Sequence, residues 1–131
     1  QAAANARLIV TGRVADVREY YAQADAIVVP LRFGSGTRIK ILEAFAAGVP
    51  VVSTPLGIEG INAEPEKHFL QAETPQAFVQ QIGRLLNTPV LGESLAREAR
   101  RLVEEQYDWK ALARRQFDLY LRVLQRREAK S

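Results

Sequence analysis

Apolar residues in this chain fall into short unbroken runs and longer periodic ones. Runs rich in β-branched residues occupy Arg7–Thr11, Ala26–Pro30 and Val49–Thr54, and predict buried strands. A weaker run over Lys67–Gln71 predicts a short final strand. Asp16 is placed to cap a short helix, Val17–Ala24. Thr37–Ala47 is apolar around most of its circumference, which predicts a buried helix stopped by Gly48. Thr54–Glu66, punctuated by Pro55, Gly57, Gly60 and Pro65, reads as loop. Thr74 and Pro75 form an N-cap and first-turn pair. The helix they open runs to about Leu86, with Phe78, Ile82, Leu85 and Leu86 on one face. The pattern breaks over Asn87–Gly92 and resumes in a helix marked by Leu95, Ala99, Leu102, Val103 and Gln106. After Asp108, Trp109, Leu112, Ala113, Gln116, Phe117, Tyr120, Leu121 and Leu124 recur at helical spacing and predict a long amphipathic C-terminal helix. Strands alternating with helices predict an α/β fold.

Composition changes this picture little. The 131 residues suit one domain, and 47% apolar with 25% charged residues is ordinary for a soluble globular chain. No run is long enough to span a bilayer and no signal-peptide pattern opens the chain, so a cytoplasmic location is expected. The absence of cysteine excludes disulfides and thiolate metal sites, and a single histidine excludes a multi-histidine metal centre. Charge is more informative. From Tyr107 onward there are seven basic residues and three acidic ones, a net of +4 against +3 for the whole chain, so the remainder carries −1. The basic excess therefore belongs to one terminal helix. It reads as a solvated helix face or as a contact with anionic lipid. Nucleic-acid binding, suggested by a pI near 9.5, is disfavoured because Phe117 and Tyr120 fall on the apolar face and leave no aromatics among the basic residues.

The candidate chemistry lies between the second and third runs, from Gly34-Ser35-Gly36-Thr37-Arg38 to Lys40 and Glu43. Glycines at a strand-to-helix turn let backbone N–H groups approach an anion, and the following helix N-terminus favours a phosphate. Thr37 is a plausible N-cap, so the helix starts beside those glycines. Arg38 and Lys40 stand in the first turn, where cations oppose the helix dipole, and so point to an anion nearby. Gly36, Lys40, Glu43 and Ala47 share a face, and helical side chains lean toward the N-terminus, so Glu43 points back toward the turn. A carboxylate there can accept from two neighbouring hydroxyls, such as those of a ribose. The plainer alternative is that Lys40 and Glu43 form a surface pair one helical turn apart.

Glu43-Ala44-Phe45-Ala46-Ala47-Gly48-Val49-Pro50-Val51-Val52 resembles the donor-nucleotide segment of GT-B glycosyltransferases, specifically the retaining family 4. The resemblance extends to Gly12-Arg13-Val14-Ala15-Asp16-Val17 and Tyr20, and downstream to Glu59-Gly60-Ile61, His68-Phe69-Leu70 and Tyr107-Asp108-Trp109. It implies a Rossmann-like parallel sheet flanked by helices, forming part of a C-terminal GT-B domain that ends in a long amphipathic helix. It also implies a bacterial hexosyltransferase of polysaccharide biosynthesis, using a nucleotide diphosphate sugar as substrate and no separate cofactor or metal. The donor-binding set is then Gly34, Ser35, Gly36, Thr37, Arg38, Lys40 and Glu43, with Gly12 and Val14 beside the base. Family members commonly carry a glutamate eight positions before the ribose-holding one; here that position is Ser35, which leaves the sugar contact open. A complete enzyme of this kind has a second, acceptor-binding domain. The resemblance implies that residues 1–131 are the later part of the donor domain, inactive alone, and that a glycan or lipid-linked acceptor is met through the other domain. Peripheral membrane contact would come through the basic helix, and no catalytic residue is identified.

Other residues have simpler readings. Asp16 is better explained as a cap, His68 as a strand-edge residue than as a base, and Tyr107 with Trp109 as packing between the last helices. Glu59 and Gly60 lie after a strand end, on the ligand side of a sheet, or cap a turn. A GT-B sugar-nucleotide epimerase would need acidic and histidine residues not present, and a flavodoxin-like signalling domain would need an aspartate cluster, for which Asp25 is the only nearby candidate.

Overall fold

The computed structural model describes residues 8–34 and 38–107, with positions 110, 122, 125 and 129 beyond them. Three short strands form its centre: β1 (Ile27–Val29), β2 (Val51–Ser53) and β3 (Leu70–Gln71). They are parallel and lie in the order β1-β2-β3, with Val28 opposite Val52 and Val52 opposite Leu70. Helices connect and cover them: α1 (Arg18–Gln23), α2 (Arg38–Ala46), α3 (Pro55–Ile58), α4 (Pro75–Asn87) and α5 (Pro89–Leu102), followed by a π-helical turn, Val103–Tyr107.

Alternation along the strands divides the core. Val29 and Val51 face α2 and pack with Ile41, Ala44, Phe45, Phe69, Ala99 and Leu102. Val52 and Leu70 face α4 and pack with Leu85 and Leu95. Helix α5 reaches both clusters, through Leu95 on one side and Ala99 and Leu102 on the other. At about 25 cal/mol per Å² of apolar area removed from water, these wholly buried aliphatic and aromatic side chains supply most of the stabilisation.

Local chemistry fixes the boundaries. Gly48, at φ +73°, ends α2 in a Schellman turn: its N–H donates to Phe45 O, and Val49 N–H donates to Ala44 O. That turn feeds the chain directly into β2. Thr74 caps α4 by accepting from Ala77 N–H, with Pro75 at the first helical position. Asp16 accepts the Arg18 N–H from one residue ahead of the cap position, which Val17 occupies.

Several expectations are corrected. Residues 8–11 form no strand; Leu8, Ile9 and Val10 are exposed, because an apolar β-branched run becomes a strand only with a partner to pair with. The segment Thr54–Glu66 is not all loop. Thr54 and Pro55 repeat the Thr74–Pro75 device and open α3, with Thr54 Oγ1 accepting from Gly57 N–H. The expected break at Asn87–Gly92 is only a one-residue joint at Thr88, since Pro89 suits a first turn and buried Gly92 packs against Pro50 and Leu85. Helix α2 is not buried all round: Ile39, Lys40, Glu43, Ala46 and Ala47 are exposed. The final strand is shorter than Lys67–Gln71, because the chain turns through Glu66 in the left-handed region, φ +66°. The predicted C-terminal helix, with Asp108, Trp109, Phe117 and Tyr120, lies outside the described residues apart from isolated positions.

Candidate functional site

The carboxyl end of β1 and the start of α2 border the main cleft. It measures about 590 Å³ and is floored by Ile27, Val28 and Val29, walled by Val14, Val17 and Tyr20, and edged by Tyr21, Lys40 and Glu43. The outer edge of β1 has no strand partner among the described residues, so the cleft runs along open backbone. In open parallel sheets, ligands bind beyond the carboxyl ends of strands, where the βα turns converge.

Of the sequence-derived residues, Val14, Lys40 and Glu43 come together in this cleft. Gly34 stands at the βα turn with φ +96°, a conformation only glycine adopts cheaply. Gly12, at φ +63°, turns the chain just before Val14 but does not line the cleft. Arg38 opens α2. Ser35, Gly36 and Thr37 lie outside the described residues. Glu59 caps the end of α3 and Gly60 follows it at φ +86°, so the turn-capping alternative describes them.

The sequence did not single out Tyr21. Its hydroxyl lies 3.1 Å from Glu43 Oε2 and 3.3 Å from Lys40 O, so it donates mainly to the carboxylate. Burial first, then the hydrogen bond to Glu43 and its charge, pushes the phenol up to about 12, so it remains a donor at any physiological pH. The same pair borders a second cleft of about 550 Å³, whose other walls include Asp16, Ala46 and Ala47. Glu43 is thus held on a ridge between two clefts. The available signal was the spacing: Val17 and Tyr21 are four apart, so both come to the cleft side of α1, with a polar tip on the second.

His68 lies elsewhere. It is buried just before β3, and its Nδ1 accepts from Glu64 N–H at 2.9 Å. Burial chiefly, and Lys67 beside it, lower its pKa, against smaller opposing effects of Glu64 and Glu98. Its role is to close the turn ahead of β3. Tyr107 likewise packs, its hydroxyl accepting from Asn62 N–H. Among the described residues no group of three or more histidine, aspartate or glutamate side chains is arranged to hold a metal, and no helix is long and apolar enough to cross a membrane.

Comparison with known proteins identifies the family and the fold. The family described as Glycosyl transferases group 1 matches residues 1–88. An uncharacterised glycosyltransferase of Methanocaldococcus jannaschii is 28% identical over 106 residues, covering 79% of this chain and 27% of the relative. TuaC of Bacillus subtilis, a glycosyltransferase named for teichuronic acid biosynthesis, is 30% identical over 105 residues, covering 76% of this chain and 26% of the relative. Among solved structures, sucrose-phosphate synthase from Thermosynechococcus elongatus superimposes with a TM-score of 0.71 at 27% identity, over 82% of this chain and 27% of that one. The C-terminal domain of a Francisella tularensis group 1 glycosyl transferase superimposes with a TM-score of 0.67 at 22% identity, over 75% of this chain and 52% of that one. The three-stranded parallel sheet and its helices match the C-terminal domain of GT-B glycosyltransferases. The chain spans about a quarter of the length of the curated relatives it matches. With the family matched over residues 1–88, about two thirds of its length, this chain belongs to the group 1 glycosyl transferases.

Proposed function

We propose that this chain is the donor-binding part of a retaining glycosyltransferase. The whole enzyme moves a sugar from a nucleoside diphosphate sugar to a glycan or lipid-linked acceptor. The observation that carries this is the meeting of Val14, Lys40 and Glu43 around one cleft beside a glycine-bearing βα turn. Val14 offers an apolar surface to a flat base. Glu43 offers a carboxylate to the ribose hydroxyls. In this reading Arg38 and Lys40, both in the first turn of α2, stabilise the diphosphate as a leaving group while charge builds on it. Protein cations and amides fill the role that a metal plays in other donor sites.

Two relatives are glycosyltransferases by name, which favours transfer over epimerisation or signalling. The acceptor and any reaction base come, in this proposal, from parts of the enzyme outside this chain, so the chain alone turns over no substrate. The basic C-terminal stretch suits contact with an anionic lipid surface, where a lipid-linked acceptor would be met.

An amide NMR titration with uridine and guanosine diphosphates, and a short oligonucleotide as control, tests the site. Saturable shifts at Gly34, Lys40 and Glu43 with one diphosphate, and none with the oligonucleotide, are expected. Absence of shifts at millimolar diphosphate, or equal shifts with the oligonucleotide, would remove the assignment.

A further inference from the structure

Glu43 is exposed at the surface of α2, where a free glutamate samples several rotamers. Here it is tied. Tyr21, twenty-two positions earlier on α1, donates its hydroxyl to Oε2 at 3.1 Å, and among the described residues no other side chain hydrogen-bonds Glu43. The tyrosine ring is itself held, packed at the edge of the α2-side core. A rigid aromatic, anchored in apolar contacts and ending in a single donor, is a fixed point for a carboxylate. With Oε2 occupied, the remaining lone pairs, those on Oε1 above all, are left to accept from a ligand. Both side chains line the main cleft.

We propose that Tyr21 is a positioning residue for Glu43, fixing one carboxylate oxygen so that the other accepts a ribose hydroxyl of the donor nucleotide. This rests on the donor-site assignment above. It adds that discrimination for the ribose diol depends on a residue that does not itself touch the nucleotide. Tyr21 keeps its proton at working pH and so stays a donor to Glu43. The bond also links α1 to α2, so a merely structural tie is the competing account, and the two predict different measurements.

Calorimetric titration of the chain with uridine and guanosine diphosphates, and with their counterparts lacking both ribose hydroxyls, separates them. The unaltered chain is expected to bind the ribose form of one diphosphate about tenfold more tightly, the value of one hydrogen bond to a charged group. In Tyr21→Phe, which keeps the ring and its packing, that preference should shrink to threefold or less, by about half of the logarithm, with the dideoxy affinity and melting temperature unchanged. Glu43→Ala should abolish the preference. If Tyr21→Phe retains the full preference while Glu43→Ala loses it, the positioning role is overturned and the donor site stands. The same holds if Tyr21→Phe weakens both nucleotide forms equally. If Glu43→Ala keeps the preference, or neither diphosphate binds, the donor-site assignment fails and the positioning role with it.

Discussion

At the scale of single residues, polar side chains buried with a partner are distinguishable from those exposed on the cleft. His68 has its partner: Nδ1 accepts a backbone N–H and needs its lone pair to do so. Protonation breaks that bond and places a charge in a buried position. Since the folded pKa lies below the ordinary 6.5, the unfolded chain takes up the proton first as pH falls. The stabilisation is therefore complete above 6.5 and is lost as pH drops through the folded value. Urea denaturation above and below that range should show the loss, and His68→Asn, which keeps an acceptor, should flatten it. An unchanged pH profile in His68→Asn would mean the acidic loss arises elsewhere. Lys40 and Glu43 differ in kind from His68, being exposed on a cleft, and the motif made them visible before the fold was known. Tyr21 was not visible, because its partner stands twenty-two residues away and only the fold, which packs Tyr21 against the α2-side core, joins them.

At the scale of elements, the caps carry a measurable difference. Thr74 and Thr54 open α4 and α3 with the same Thr-Pro pair, yet their surroundings differ. Thr74 accepts one N–H at an exposed position, so Thr74→Ala should cost about 1 kcal/mol. Thr54 is buried, accepts Gly57 N–H and donates to Leu31 O at 2.6 Å, joining the ends of β1 and β2. Thr54→Ala also leaves a backbone carbonyl without its donor, and should cost about 2–3 kcal/mol. Chemical denaturation of both variants gives the comparison; equal losses would show that the Leu31 bond contributes nothing. The exposed ion pair between Arg84 and Glu66 is geometrically good, with both guanidinium nitrogens at 2.9 Å, but lies in water and adds little. The helix α3 was legible in principle from Thr54-Pro55, but Gly57 and Gly60 suggested loop. Gly57 is required for a different reason, since a Cβ there would collide with Ser53 Oγ.

At the scale of the whole molecule, one side of the sheet is open. The outer edge of β1 lacks a strand among the described residues, and Val28, Val17 and Tyr20 expose apolar surface in the cleft beside it. Such a patch favours association. Sedimentation velocity should show concentration-dependent self-association, reduced by Val28→Lys, which places a charge on the exposed strand. A monomer at all concentrations would show that the edge is protected. The same openness explains the missing strand over residues 8–11, whose composition predicts β structure that pairing alone can realise.

Periodicity by itself determined the βαβ centre and the helix α4 with its cap, because these depend on residues close together in the chain. Gly48 is the clearest case: a turn in the left-handed region between an apolar helix and an apolar strand needs glycine, and the sequence shows one there. Tertiary structure alone decided which apolar runs found partners, which face of α2 stayed open, and that Tyr21 meets Glu43. Each of these depends on surfaces brought together from distant segments, and the chain's local pattern carries no distance between them.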